Sequence, residues 1–458
     1  MTKKLLRSIL LGALLLFLVS CNSNNITVFS SAVSQINLEA NGHNQKLSEY
    51  DSPYTICYEN KDGTYSMYIF ASPIQYKIAN GYEVIDNTII NSAKDRYAFE
   101  NKANEIKTYF PKSLHEYFRV EKGSTFIEFK FNGNLDGFSE AKQKLYKNMY
   151  GDTISAVIYK RKDMDVIFYS TNAGIKSEIV LKDKPNSNAF SFTVKSSAGI
   201  YENTQNRYIL FKSGGEIESI IYQPLVQYSA DDGQYLDVNT QMNINREGID
   251  YRVEMKIDES IISNANTFYP VKFSPSFEMR LNKLPDSTVY SNQDINNYLA
   301  NYAVVGEHPA LGEGWHYMRM RLNYFMTLKS EYVKSAVFFI KPLWNNIDIK
   351  KIKVYESAEQ WSSTQMLWES KKLPDSLITE KAILINGFLG LPMNEYVKEC
   401  FGDPSWVKES VGFLIKLEKE CMYSIIATSD NSLYPPFLKI ELITLPAFFE
   451  PKESINQV

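Results

Sequence analysis

Tyr251-Arg252-Val253-Glu254-Met255-Lys256-Ile257 alternates apolar and charged residues without a break. Successive side chains of an extended chain point to opposite faces, so this stretch reads as a strand with one face in a core and one in water. The same period recurs upstream. Ile127, Phe129 and Phe131 alternate with Glu128 and Lys130, and Phe190, Phe192 and Val194 stand two apart. Turn signals separate such runs: Lys61-Asp62-Gly63, Ser213-Gly214-Gly215 and Asp231-Asp232-Gly233. Long helical crossovers are missing between them, so the sheets should be antiparallel. One short helix is expected, near Ser139–Met149. Residues 53–282 therefore read as an antiparallel β domain, and the fold class as all-β.

Downstream the pattern changes. Pro270, Pro275 and Pro285 punctuate it, and all five Trp (Trp315, Trp344, Trp361, Trp368, Trp406) follow. A second β-sandwich is expected over 284–447, with strands at Met318–Phe325, Ala336–Ile340, Ile352–Tyr355, Phe413–Leu417, Ser424–Ala427 and Phe437–Leu442. Short helices are expected near Gln293–Leu299 and Asn394–Cys400. The boundary between the two units falls between Leu281 and Asp286, and 448–458 reads as a tail. With 44% hydrophobic residues the chain can fill packed cores, and its 31 Tyr and 26 Phe favour strands.

The N-terminus carries Lys3, Lys4 and Arg7, then an apolar run from Ile9 to Val19 that is too short to span a bilayer. Leu18-Val19-Ser20-Cys21 follows and resembles the lipobox of bacterial lipoproteins. That resemblance implies cleavage before Cys21, lipidation of its thiol and an extracytoplasmic chain held to the membrane by acyl groups. Residues 1–21 are then leader and lipobox, and the polar stretch 22–52 a flexible tether. Cleavage removes three basic residues from a chain of formal net charge −4. Such a surface offers no electrostatic reason to bind nucleic acid. Cys57, Cys400 and Cys421 remain. An odd count cannot complete a disulfide set; a Cys400–Cys421 pair and three buried thiols both stay open.

Asp62–Ile89 (DGTYSMYIFASPIQYKIANGYEVIDNTI) and Tyr97–Pro111 (YAFENKANEIKTYFP) resemble the N-terminal β-region of bacterial wall-associated and YD-repeat surface proteins. Ala173–Leu181 and Phe268–Pro275 resemble later elements of that region, with Phe273-Ser274 where Ile-Asp is usual. The part that follows resembles DNRLRE-type modules, jelly rolls grouped with carbohydrate-binding modules. Its marks are Trp361 with Trp368, then Val397, Trp406 and Gly412-Phe413-Leu414, then Ser429, Pro436, Leu438 and Ile440. Arg319 or Arg321 would stand for that module's early arginine. The resemblance implies a C-terminal jelly roll that binds polysaccharide and supplies no catalytic residue.

The residues themselves offer little enzyme chemistry. None of the four His sits in metal-ligand spacing, and neither a Gly-x-Ser-x-Gly elbow nor a phosphate-cradling Gly loop occurs. No catalysis and no cofactor are expected. Asp286 and Asp294 near the start of the second unit lack an Asp-x-Asp-x-Asp context, so no metal is assigned. Sugar binding needs flat aromatic faces with polar neighbours. Trp315 and Tyr317, in the Gly-flanked stretch His308–Met318, and Trp344 with Asn345, at an expected turn, are the ligand candidates. Trp361, Trp368 and Trp406 read as scaffold. The competing expectation is a structural or adhesion spacer that contacts other surface proteins and binds no glycan.

Overall fold

A computed structural model describes residues 42–445, apart from 205–207, 231–232, 239, 282–285, 294–296, 321–328, 346–351, 358–360, 362–363, 386, 403–410 and 418–422. Cys21 and the lipobox, the tail 448–458, Trp406, Cys421 and Asp294 lie outside the described residues, as does the side chain of Asn345. The fold is all-β. Every strand pair of the four large sheets is antiparallel, and the described α-helices are short, Glu259–Ser263 and Asn394–Gly402.

Two sheets build the first sandwich. Sheet I runs in the order Thr240–Glu247, Asp250–Ile257, Ala189–Ser196, Thr125–Phe131, Phe118–Lys122, Lys107–Phe110, Phe99–Ala103, Asp86–Asn91. Sheet II runs Lys142–Lys147, Thr153–Lys160, Met164–Ser170, Gly174–Leu181, Phe268–Met279, Glu216–Ala230, Tyr208–Ser213, Ile200–Thr204. The alternation at 251–257 does what its period requires: Tyr251, Val253, Met255 and Ile257 are buried, while Arg252, Glu254 and Lys256 are not. Phenylalanines fill the centre, with the Phe129 ring stacked 3.7 Å from Phe277 and 5.2 Å from Phe118.

The helix expected near Ser139–Met149 is instead the strand Lys142–Lys147, paired along its length with Thr153–Lys160. It is the exposed edge of sheet II, and its lysines suit an edge that must stay unpaired on its outer side. A ladder to a neighbour outweighs the mild helix preference of Lys and Gln.

The second sandwich crosses the expected boundary. Sheet III runs His43–Lys46, Thr55–Asn60, Tyr65–Phe70, Phe437–Leu442, Val333–Ile340, Phe388–Pro392, Ile383–Ile385. Sheet IV runs Pro342–Asn345, Tyr423–Ala427, Tyr302–His308, Gly312–Met320, Val411–Leu417, Ile352–Glu356, Leu377–Thr379, with Asp286–Tyr290 also on Gly312–Met320. Tyr65–Phe70 pairs with Phe437–Leu442, Tyr65 opposite Leu442 and Phe70 opposite Phe437. Three strands drawn from 43–70 thus belong to a sandwich otherwise built from residues after 285. The first sandwich is an insertion between them, so a division at 282–284 does not separate two self-contained units. The tether is shorter than expected for the same reason. His43 stacks on Tyr58 at 4.6 Å, and Leu47 and Tyr50 enter the second core.

The strand Tyr65–Phe70 explains this placement. Its alternation is apolar on both sides. Met67 and Ile69 point into the core between sheets III and IV, and Tyr68 and Phe70 into a second cluster. That cluster is the seam between the sandwiches. Ile154, Ala156 and Ile158, with Ile167 and Tyr169, leave the outer face of sheet II and meet Tyr302, Val304, Ile425 and Phe437. Polar pairs pin the seam: Asn148 Nδ2 donates to the Tyr434 hydroxyl (2.8 Å), which donates to Asp152 (2.6 Å), and Lys341 reaches Asp152 at 3.1 Å. Arg280 meets Asp430 at 3.0 Å.

Candidate binding surface on the outer face of sheet IV

The strand Gly312–Met320 runs through the middle of sheet IV. Its alternation sends Met318 into the sandwich core and Trp315 and Tyr317 to the opposite, outer face. Gly314 lets it lie there, because a Cβ at that position would meet the Val304 carbonyl oxygen at 2.1 Å. On neighbouring strands Val289 and Leu414 take the same face, with Tyr355 packed against them. The segment after Ile352–Glu356 folds over it and brings Trp361, Met366 and Trp368.

Trp315 is only 6% exposed. Its Nε1 donates to Glu313 Oε1 at 2.8 Å. Tyr317 is fully buried, its hydroxyl donates to the Lys372 carbonyl, and burial pushes its pKa up. Trp361 is buried edge-on against Tyr317 at 5.7 Å. Trp368 meets Trp315 edge-on at 5.4 Å and stays half-buried. Cations lie over these rings. Lys371 Nζ is 3.9 Å from the Trp368 centroid and 5.2 Å from that of Trp315. Lys416 Nζ is 4.6 Å from the Trp315 centroid and 5.9 Å from that of Tyr355. The Arg319 guanidinium sits 4.7 Å from the Trp361 centroid and donates to the Trp361 carbonyl.

The two sequence-predicted groups are not brought together. Trp315 and Tyr317 sit on a strand rather than in an open loop, and packing closes both. Trp344 lies not in a turn but on the strand Pro342–Asn345, at the edge of sheet IV, with two strands between it and Gly312–Met320. It is half-buried in the seam, 4.9 Å from Tyr423, which in turn meets His308 at 4.5 Å. Trp368, read as scaffold, is the ring of the outer-face cluster that reaches the surface together with Tyr355. Lys371 and Lys416 went unnoticed. Lys416 was within reach of the period-two rule, since Phe413, Ile415 and Leu417 take the core face and leave Leu414 and Lys416 on the other. Lys371 comes from an irregular segment, and no periodicity points to it.

Cys57 and Cys400 are buried thiols, each pushed up to about 12 mainly by burial. Asp286 Oδ2 accepts the Ser429 amide at 2.8 Å and lies 3.9 Å from His316 Nε2. Among the described residues no group of three His, Cys, Asp or Glu could hold a metal ion, and no described helix is long and apolar enough to cross a membrane.

No protein-family model matches the chain. No curated protein matches it either. Among solved structures it is similar to the N-terminal domain of the Streptococcus gordonii adhesin Sgo0707, at 7% identity over 89% of each chain with a TM-score of 0.14.

Proposed function

We propose that the chain is a non-catalytic bacterial surface protein, lipidated at Cys21, that holds polysaccharide on the outer face of sheet IV. The observation that carries the reading is the half-buried Trp368 on an otherwise closed aromatic layer, with Tyr355 and two lysines beside it. A flat ring backed by packed aromatics is a platform for the C–H face of a sugar, and flanking polar groups reach its hydroxyls. The resemblance of 284–447 to carbohydrate-binding modules points the same way. Retention on a glycan array by the chain from residue 22 onward tests it. Trp368→Ala should weaken retention tenfold or more and change stability by only about 1 kcal/mol, because the ring is half-buried. A Trp368→Ala protein that binds its glycan as well as the parent would move the site elsewhere.

Membrane attachment has its own test. Labelled palmitate should enter the intact chain in a bacterial host and not the Cys21→Ala variant. Equal labelling of both would remove the anchor from the reading.

The second reading is a spacer that presents other surfaces and binds no glycan. The apolar seam favours it, because buried contact across sheet II holds the sandwiches in one orientation. A chain that no glycan retains, and that folds normally, would bring this reading forward.

A further inference from the structure

We propose that the sugar held at this face carries negative charge, a carboxylate or a sulfate ester, and that Lys371 and Lys416 recognise it. The inference rests on the glycan reading above and deepens it. Ion pairs between side chains are common in this protein; Lys94, Lys182 and Lys341, for example, each have a carboxylate within 3.1 Å. Lys371, Lys416 and Arg319 are different. Among the described residues none of the three has a carboxylate partner, although they share one face of one sheet. Lys371 donates to the Trp368 carbonyl at 3.2 Å, and Arg319 to the Trp361 carbonyl. The rings named above lie beneath these cations, and Lys416 also stands opposite Lys353, whose own carboxylate partner is Glu380 at 3.2 Å.

An ammonium over an indole keeps its charge and gains from the ring quadrupole, yet part of its hydration remains open to an anion. Lys371 and Lys416 address the same Trp315 ring, at 5.2 and 4.6 Å, Lys371 lying also over Trp368 and Lys416 over Tyr355, so the two positive charges flank the two rings that reach the surface. Glu313 is the carboxylate placed beside that ring, and Trp315 Nε1 already engages one of its oxygens. A net-acidic chain thereby holds a local positive field beside an aromatic platform. A neutral sugar would use only the platform. A uronic acid or a sulfated sugar would use both, with the ring setting its plane and the ammonium groups its orientation.

The test measures retention of the chain from residue 22 onward on polygalacturonate, on its fully methyl-esterified form, on dextran sulfate and on dextran. At least one acidic polymer should bind tenfold or more above its neutral counterpart, with the advantage shrinking as salt rises. Which acidic polymer binds assigns carboxylate or sulfate. Lys371→Gln with Lys416→Gln should remove most of that advantage, leave neutral retention unchanged and leave the melting temperature within a degree or two. Lys142→Gln with Lys144→Gln, on the exposed edge of sheet II, should do nothing. Equal retention of acidic and neutral polymers overturns the charge inference and leaves the glycan reading standing. So does an equal loss in the edge-strand control, or a collapse in melting temperature that makes the two lysines structural. Absence of retention on any polymer here and on the glycan array removes the glycan reading itself.

Discussion

Residues 284–447 expressed alone should give no cooperative unfolding transition, whereas the chain from 42 to 445 should. The fragment lacks the strands Thr55–Asn60 and Tyr65–Phe70, so Phe437–Leu442 loses its ladder on one side. It also loses Leu47, Tyr50, Cys57, Met67, Ile69 and Ala71 from the second core. Burying one large apolar side chain contributes about 1.5–3 kcal/mol, and a whole domain is stable by only about 5–15 kcal/mol. Removing this group of contacts together cancels the margin. Circular dichroism and urea melts of the fragment provide the measurement, with a synthetic peptide of 42–72 added in a second arm. The peptide should restore a transition. A cooperative melt without it would mean that sheet III closes on its own and that the N-terminal strands are ornamental.

Stability should fall as pH rises from about 5 to 8, and Glu278→Gln should remove much of that slope. Glu278 is buried on the seam face of sheet II, within hydrogen-bonding reach of Ser432 and Ser276 and near Lys176. Burial dominates and lifts its pKa from 4.5 to about 7. The folded state therefore binds a proton that the unfolded state has released. The contribution is fully present below the unfolded value and is lost as pH rises through the folded one. A shift of that size corresponds to about 3 kcal/mol. Lys176 faces the same space and donates to the Tyr150 hydroxyl at 2.8 Å. Glu178 is also fully buried, accepts from Tyr146 (2.8 Å), Tyr169 (3.2 Å) and the Met149 amide (2.9 Å), and is shifted upward mainly by burial. Tyr222 is buried nearby, its pKa raised by burial and then by the Glu278 charge, with Arg280 opposing. Glu178 leaves a residual slope in the variant, so the informative quantity is the difference between parent and Glu278→Gln. At pH 8 the variant should be the more stable of the two by up to about 3 kcal/mol. Parallel pH profiles would show that Glu278 is not the source.

How much of this was legible in the sequence depends on the reach of the interaction concerned. Tyr251–Ile257 could be read because period two is a local property, and the helix Asn394–Gly402 for a similar reason. Lys142–Lys147 could not, since its strand state is imposed by a ladder to Thr153–Lys160. The partner of Tyr65–Phe70 lies at the other end of the chain. The hint was a strand apolar on both faces, Met67 and Ile69 on one and Tyr68 and Phe70 on the other, which demands cover from two sides without saying from where. The same blindness reversed the two tryptophans of the surface site. Gly312 and Gly314 around Trp315 suggest a loop, but Gly314 is there for close approach to Val304. Trp368 has the spacing of a scaffold residue and a position at the rim. Exposure is fixed by what folds over a face, and that is not written in the spacing along one strand.

The insertion of one sandwich inside the other also sets a clock. On the ribosome the first sandwich can close once the segment through Met279 has emerged, because its ladders lie between Asp86 and Met279. Tyr65–Phe70 must wait for Phe437–Leu442, synthesised about 370 residues later, which at roughly 5–20 residues per second means tens of seconds. During that interval the strand lacks its Phe437–Leu442 partner and Met67 and Ile69 lack the second core, while Thr55–Asn60 can already pair with its other side and the outer face of sheet II can already meet Tyr68 and Phe70. The nascent chain therefore carries a strand with one open edge and one uncovered apolar face for most of its synthesis, and a factor that shields such segments has its longest opportunity there.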